Sequence, residues 1–549
     1  MNFAFDRIRQ NLRSGLTVSL ISIPLSVSLA VASNATPLIG IITAIWAGLI
    51  AAIFGGSNFN IIGPTGALSG VIATYVLVNG ITTLPMLAIT TGVLILLAYI
   101  FKLERFLILI PSSVIHGFTL GVAFIIGLNQ FNSALGLSGL KGHETFFANL
   151  IESFRNIALI SWPTFLIFAA FLAVLFILKK FVRSIPGAII LAPVGIILGM
   201  LGENGTIPLD LITLGNRFGD ISFSFFVMPT FSFTPALIKG SLVVALIAIL
   251  ETMLSAKIAD GMTKTKHHER REMLGLALAN VGSGLMGGMP ATAALARTAL
   301  NVKTGATHKT SAGISIFFVA LISIFFLSYF KYIPMAVIAA ILVYVAIQMV
   351  ELHHFARFLK YERTGFWVAF IVALVTVVED PIYGILLGAV ISLLIFVNRL
   401  SHGYFDLRLN SFKEGMIGAV STGTECEIKD EADAVIYSIK GKLCYINSRA
   451  HINRFEGNMG RYKTVVLRLK EVFFMDIDGV EALDEIVGLL EARGQKTIIT
   501  GIDDSIVGLI EQSSVYYPKL KSAGLIFPKV TNALAYLGIK QQEIPGVND

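Results

Sequence analysis

Gly287-Gly288-Met289-Pro290-Ala291-Thr292-Ala293-Ala294-Leu295-Ala296-Arg297 decides how the rest of the chain is read. It lies among hydrophobic segments, yet it is rich in glycine, broken by a proline and closed by a charge. An echo lies far upstream, at Gly63-Pro64-Thr65-Gly66-Ala67. In both, the proline suits the first turn of a short helix, where its missing N–H costs nothing and its fixed φ fits. Each follows a glycine-rich run that an ordinary spanning helix does not carry. The pair reads as two broken membrane helices whose starts face one another and hold an anion.

The surrounding composition fits a membrane. Of 549 residues, 55% are hydrophobic and only 14% charged, where soluble proteins carry about a quarter charged. Apolar blocks of spanning length follow one another from Leu16 to Leu400, separated by short polar turns. From Ser401 onward the composition is that of a soluble domain. The expected division is 1–14 as a cytosolic N-terminal segment, 15–400 as the membrane domain, 401–430 as a linker and 431–549 as the soluble domain. Arg7, Arg9 and Arg13 precede an apolar run, and Ala30-Val31-Ala32 resembles a cleavage site. A further apolar segment follows at once, so the run reads as a first span rather than a signal peptide. The two cysteines, Cys426 and Cys444, make no disulfide framework, and no spacing resembles a metal site. Net charge +7 comes from residues in the loops between spans, which answers a question of topology and does not call for nucleic acid.

About fourteen apolar segments are expected, centred near Leu25, Ala47, Ser69, Leu94, Ala123, Ala170, Ala192, Ala248, Leu278, Ala296, Phe317, Ala340, Ala369 and Leu393. An even number puts both termini on one side. With that side inside, the inside loops together with Arg7, Arg9 and Arg13 hold about 17 basic residues, Arg105 and Arg183 among them. The outside loops hold five: Lys141, Arg155, Arg217, Lys239 and Lys331. The bias places both termini in the cytoplasm of a multi-pass plasma (inner) membrane protein. A repeat is also visible, since Gly15 to Pro64 and Gly240 to Pro290 each run through two spans and a glycine pair. Seven spans separate the copies, so they lie inverted, and paired broken segments in inverted halves point to a transporter's binding site.

A helix that starts at mid-membrane leaves its first N–H groups unpaired, with partial positive charge at that end. Two such starts, at Thr65-Gly66-Ala67 and Ala293-Ala294-Leu295, make a site for a small anion. The small residues let the anion reach the backbone, and the Thr65 hydroxyl adds a donor. The alternative is close helix packing through those same small residues. Glu251 sits in an apolar run, Val243–Leu250, where a carboxylate is costly unless protonated, paired or wet. Burial favours its neutral form, which suits a proton carrier. Ser255 lies one turn on, on the same face. The alternative for Glu251 is a permanent pair with Arg297 or Lys257. Arg297 either adds positive potential to the anion site or neutralises Glu251. His116, Asn129 and Gln130 read as ordinary polar residues of the bundle, and Glu379 and Asp380 as a helix end. In the tail, strands are expected at 434–439, 464–469 and 496–500, with an amphipathic helix over 480–490. That is a small α/β domain with no phosphate loop and no paired catalytic residues, so an enzyme is not expected.

These residues together resemble the sulfate permease (SulP) family of anion transporters. The resemblance rests on the Pro24 helix, Gly63-Pro64-Thr65, Val114-Ile115-His116-Gly117-Phe118-Thr119, Asp260-Gly261-Met262-Thr263 after Glu251, and Ala293 to Thr298. The tail is similar to that family's STAS domain, through 465–469 and Phe474-Met475-Asp476-Ile477-Asp478-Gly479. It implies an all-α domain of two inverted seven-helix repeats, sorted into core and gate, with elevator-like movement and a homodimer. It puts the substrate at Thr65, Gly66, Ala67, Ala293, Ala294 and Leu295, between the third and tenth spans, and the coupling ion at Glu251 and Ser255. Sodium-using bicarbonate carriers of the family have aspartate and threonine at those last two places. Glutamate and serine here favour protons. The run Ala291 to Arg297 is most like the bacterial dicarboxylate branch, although sulfate and bicarbonate also suit two helix starts and a threonine. A channel or uncoupled exchanger is the alternative. Asp478 stands where related domains carry a phosphorylatable Ser or Thr, so the tail is expected to dock or to bind a cytosolic partner rather than to be switched there.

Overall fold

A computed structural model of the chain describes residues 2–103, 111–140, 146–181, 187–207, 211–229, 233, 235–379, 381–402, 404–411, 415–422, 434–458 and 462–539. Arg105, Lys141, Arg183, Asp380 and Cys426 lie outside the described residues. The chain divides into two compact units, Met1–Ile391 and Ser392–Asp549.

Each of the fourteen expected segments is a helix. They are α1 (Asn2–Ala32), α2 (Pro37–Phe54), α3 (Gly66–Asn79), α4 (Leu84–Ile100), α5 (Ser112–Asn129), α6 (Trp162–Phe181) and α7 (Gly187–Glu203). There follow α8 (Pro235–Thr263), α9 (Glu269–Leu285), α10 (Leu295–Lys303), α11 (Thr310–Phe326), α12 (Met335–Met349), α13 (Arg363–Val378) and α14 (Pro381–Ser401). Shorter helices, such as Leu352–Tyr361 after α12, lie between them. Among the described residues, nine helices are long and apolar enough to cross a membrane. At 1.5 Å per residue, α3 with 14 residues rises about 21 Å and α10 with 9 about 14 Å, well short of a ~30 Å hydrocarbon core. Those two are the broken helices.

Small residues set the packing. A Cβ on Gly92 of α4 would stand 2.6 Å from the Ala277 carbonyl of α9, and one on Gly284 of α9 would stand 2.3 Å from the Pro85 carbonyl of α4. The two backbones touch, as helices in lipid do where small residues let them approach. The packing is reciprocal: α4 lies on α9 and α2 on α11; α1 on α11 and α4 on α8; α3 on α8 and α1 on α10; α5 on α13 and α6 on α12. Each second contact is the first with both helices moved by seven places. Residues 2–14, within the stretch read as a cytosolic N-terminal segment, form the first turns of α1. There Asn11 is buried, and its Oδ1 accepts from the Thr307 and His308 N–H groups at 2.9 and 3.2 Å.

In the second unit a six-stranded sheet runs β4 (Gly415–Thr422), β3 (Tyr404–Ser411), β5 (Ala434–Leu443), β6 (Thr464–Met475), β7 (Lys496–Thr500) and β8 (Ile526–Phe527), in that spatial order. Strands β1 (Ile62–Gly63) and β2 (Thr292–Ala293) belong to the first unit. β5 to β8 are parallel, and β3 and β4 add an antiparallel edge within the stretch read as a linker. The parallel strands are continuously apolar because both faces are covered. Val435, Tyr437, Val465 and Leu467 pack beneath α15 (Ser448–Asn458), α16 (Ile477–Ala492) and α17 (Asp504–Ser513), and the opposite face of Ile436, Val466 and Ile498 meets Val530 and Leu534. Asp476 caps α16, its Oδ1 accepting from Gly479 N–H at 2.9 Å.

Candidate functional site

The two broken helices are joined before they begin. β1 pairs with β2 antiparallel, Ile62 against Ala293 and Gly63 against Thr292. This corrects one expectation. α10 starts at Leu295, five residues after Pro290, and the intervening run is extended rather than helical. The physical reason is that neighbours satisfy its backbone. Asn280 of α9 both donates to the Ala291 carbonyl (3.0 Å) and accepts from Ala291 N–H (2.9 Å), as a strand would. Thr43 of α2 accepts from Met289 N–H at 2.9 Å. Gly287 has φ +82°, and a Cβ there would lie 2.1 Å from the Val227 carbonyl, so this turn takes glycine for both reasons.

That pairing changes which donors are free for a ligand. Ala293 N–H donates to Thr252 Oγ1 (3.2 Å) and Ala294 N–H to the Ile61 carbonyl (2.9 Å). Neither is left for an anion. The uncapped turn of α10 is Leu295, Ala296 and Arg297, with Ala294 and Leu295 half-buried and Ala296 exposed. At the other start, Thr65 is the N-cap of α3 but its hydroxyl does not cap the helix. It donates instead to Glu251 Oε2 at 3.0 Å. Gly66 and Ala67 follow, both buried, and a Cβ on Gly66 would stand 2.9 Å from Met349 Sδ of α12 and 3.1 Å from Ile126 of α5. The missing side chain at Gly66 is used in packing.

Arg297 is buried. It donates to the Pro64 carbonyl, and its guanidinium lies across Gly63, 3.1 Å from where a Cβ would be. On the same buried face, Thr298 Oγ1 accepts from Ile61 N–H (3.1 Å) and Asn301 Nδ2 donates to the Phe59 carbonyl (2.9 Å). One side of α10 therefore holds the strand that leads into α3. Glu251 lies within electrostatic reach of Arg297, but Thr65 is its hydrogen-bond partner. Lys257, the other proposed partner, is exposed.

Ser255, expected beside Glu251 in function, belongs to a neighbouring network. Its hydroxyl donates to Asn60 Oδ1 at 3.0 Å, and Asn60 Nδ2 donates to Glu272 Oε1 at 2.6 Å. Glu272 Oε2 accepts from the Gly56 and Ser57 N–H groups, both at 2.7 Å, and the residue is 2% exposed. A buried carboxylate with three N–H donors is a strong anchor. Sequence reading missed Asn60 and Glu272, since Glu272 looks like an ordinary acid in the first turn of a helix. Asn60, an amide between Phe59 and two isoleucines before Gly63, was the available signal. His116, read as an ordinary polar residue of the bundle, lies on α5, and its Nδ1 is 2.9 Å from Glu351 Oε2, a partner that the sequence reading did not name.

Comparison with known proteins fits this geometry. The profile of the Sulfate permease family matches residues 8–372, and that of the STAS domain residues 425–530. A putative sulfate transporter of Bacillus subtilis, YvdB, is 27% identical over 527 residues, covering 94% of this chain and 95% of its own. The bicarbonate transporter BicA of Picosynechococcus is 25% identical over 514 residues, covering 90% and 89%. Among solved structures, the murine Slc26a9 anion transporter in the inward-facing state superposes with TM-score 0.82 at 15% identity, over 97% of this chain and 92% of that one. The transmembrane domain of a cyanobacterial BicA gives 0.60 at 23% identity, over 69% and 98%. At these identities the superpositions show a shared fold. With a polytopic helical domain, two broken helices and an α/β tail in place, the chain belongs to the sulfate permease family, a family of membrane anion transporters and not of enzymes.

Proposed function

We propose that the chain carries a small anion by elevator-type alternating access, with the anion at the starts of α3 and α10 and a proton on Glu251 as the coupled ion. The observation that carries this reading is the Thr65–Glu251 hydrogen bond, which ties the N-cap of α3 to the deep carboxylate of α8. While Glu251 is ionised, it takes the Thr65 hydroxyl and repels an incoming anion. Protonation removes the charge and releases the hydroxyl, so proton and anion strengthen each other's binding, as linkage requires. The free N–H groups of Leu295 and Ala296 supply the opposite pole. The substrate-binding set proposed from the sequence is thereby shifted toward Thr65, Gly66, Ala67, Leu295 and Ala296, with Ala293, Ala294 and Arg297 as the frame.

Met349 and Ile126 cover Gly66, so an anion reaches α3 when α5 and α12 move relative to α3 and α10. That is the core-against-gate movement of an elevator, and the reciprocal packing supports two inverted seven-helix halves. Loop charge supports cytoplasmic termini in a bacterial inner membrane, and a homodimer completes the proposal. C4-dicarboxylates, sulfate and bicarbonate are the candidate anions. The test is uptake of labelled fumarate, sulfate and bicarbonate into proteoliposomes with and without an inward proton gradient, beside Glu251→Gln. Accumulation of one anion that needs both the gradient and Glu251 is expected. Flux indifferent to both would make the protein an uncoupled exchanger or channel.

A further inference from the structure

Among the described residues, one trio of imidazole and carboxylate groups has its ligand atoms within 4.8 Å of one another: His116, Glu351 and His354. His116 is on α5, and the other two open the Leu352–Tyr361 helix that follows α12. Glu351 Oε2 is 2.9 Å from His116 Nδ1 and 3.8 Å from His354 Nε2, so a single oxygen is addressed by both rings. The rings stack at 4.1 Å between centroids, inclined by 21°. Glu351 occupies the N-cap position of its helix, yet its side chain makes no cap hydrogen bond and turns to the imidazoles instead. All three side chains are partly buried, at 14%, 34% and 33% exposure.

We propose that these three residues form a binding site for a divalent transition-metal ion of the zinc type, distinct from the anion site. Two imidazole nitrogens and one carboxylate oxygen are the donor set of an open tetrahedral site, with the fourth position left to water. Imidazole donors select zinc-like ions over magnesium and calcium, which take oxygen. Ligand atoms held ~2.0–2.1 Å from one ion lie roughly 3.3 Å apart, which falls between the two distances seen here. The adverse charges at His354 are those of His116, His353 and Arg357, and the Glu351 carboxylate opposes them. The site joins α5 to the end of α12, the two elements whose Ile126 and Met349 close over Gly66. A bound ion therefore fixes that wall, and metal binding slows transport.

The test uses the purified full chain in lipid nanodiscs and Zn²⁺ itself, in competition with a chromophoric chelator. One tight equivalent is expected, weakened at least tenfold by His116→Ala and by His354→Ala, and unchanged by His353→Ala, which alters the exposed neighbour. An equivalent that survives the His116→Ala/His354→Ala double substitution overturns the proposal, as does the lack of any tight equivalent. Co²⁺ loaded into the unaltered chain gives a reading independent of folding in the variants. Intense visible d–d bands of tetrahedral geometry support the site, and weak octahedral bands alone contradict it.

Discussion

In the proposed mechanism Glu251 and Thr65 carry the chemistry, and each can be altered with little change of volume. Thr65→Val removes the hydroxyl and keeps the β-branched shape, so the chain should fold while gradient-driven uptake falls about tenfold or more, a ~1.4 kcal/mol effect. Thr65→Ser should keep most of the activity. Arg297 plays a different part, since its guanidinium holds the Pro64 carbonyl in the interior. Arg297→Met leaves that carbonyl without its donor, at a cost of about 1–3 kcal/mol, and the loss should appear in thermal unfolding as well as in uptake. A variant with normal unfolding and lost uptake would instead put Arg297 in contact with the anion. Glu251 and Arg297 were visible in the sequence because a charge in an apolar run is conspicuous. The partner of each was not, since Thr65 and Pro64 come into reach only through the pairing of β1 with β2.

At the level of elements, glycine and proline marked where the two helices break but not where they begin. The four residues between Pro290 and α10 are extended because Asn280, Thr252 and the Ile61 carbonyl take up the N–H groups of Ala291, Ala293 and Ala294, and those partners come from two other helices and the strand that leads into α3. No local pattern announces them. The metal-type trio was hidden for the same reason, since His116 and Glu351 are far apart in the chain. The α/β unit was more legible: runs of apolar β-branched residues placed β5, β6 and β7, because a strand covered on both faces must be continuously apolar. Its packing yields a sharp prediction. A Cβ on Gly479 would stand 2.3 Å from the Leu443 carbonyl, at the start of α16. Gly479→Ala should therefore destabilise this unit by about 1–3 kcal/mol, read as faster hydrogen exchange across β5 and α16. Unchanged exchange would mean that the helix start shifts freely.

The chain divides into a membrane unit and an α/β unit, and a pH prediction belongs to each. In the soluble unit His451 is fully buried, with its Nδ1 2.8 Å from the Tyr437 hydroxyl. Burial, assisted by the positive Arg454, pushes its pKa down to about 3. The unfolded chain binds a proton near pH 6.5 and the folded chain does not, so stability is full above pH ~6.5 and declines as pH falls toward 3. The decline should reach a few kcal/mol, followed as exchange of β5 amides in the full chain, and His451→Gln should flatten it. In the membrane unit, the proposed role of Glu251 is to carry a proton with the anion. The most direct measurement is the pH inside proteoliposomes, read by a trapped indicator while anion influx is driven by its own gradient. Internal acidification with each anion taken up is expected of the parent chain, and none of Glu251→Gln. Anion influx without any change of internal pH in the parent chain would contradict that role.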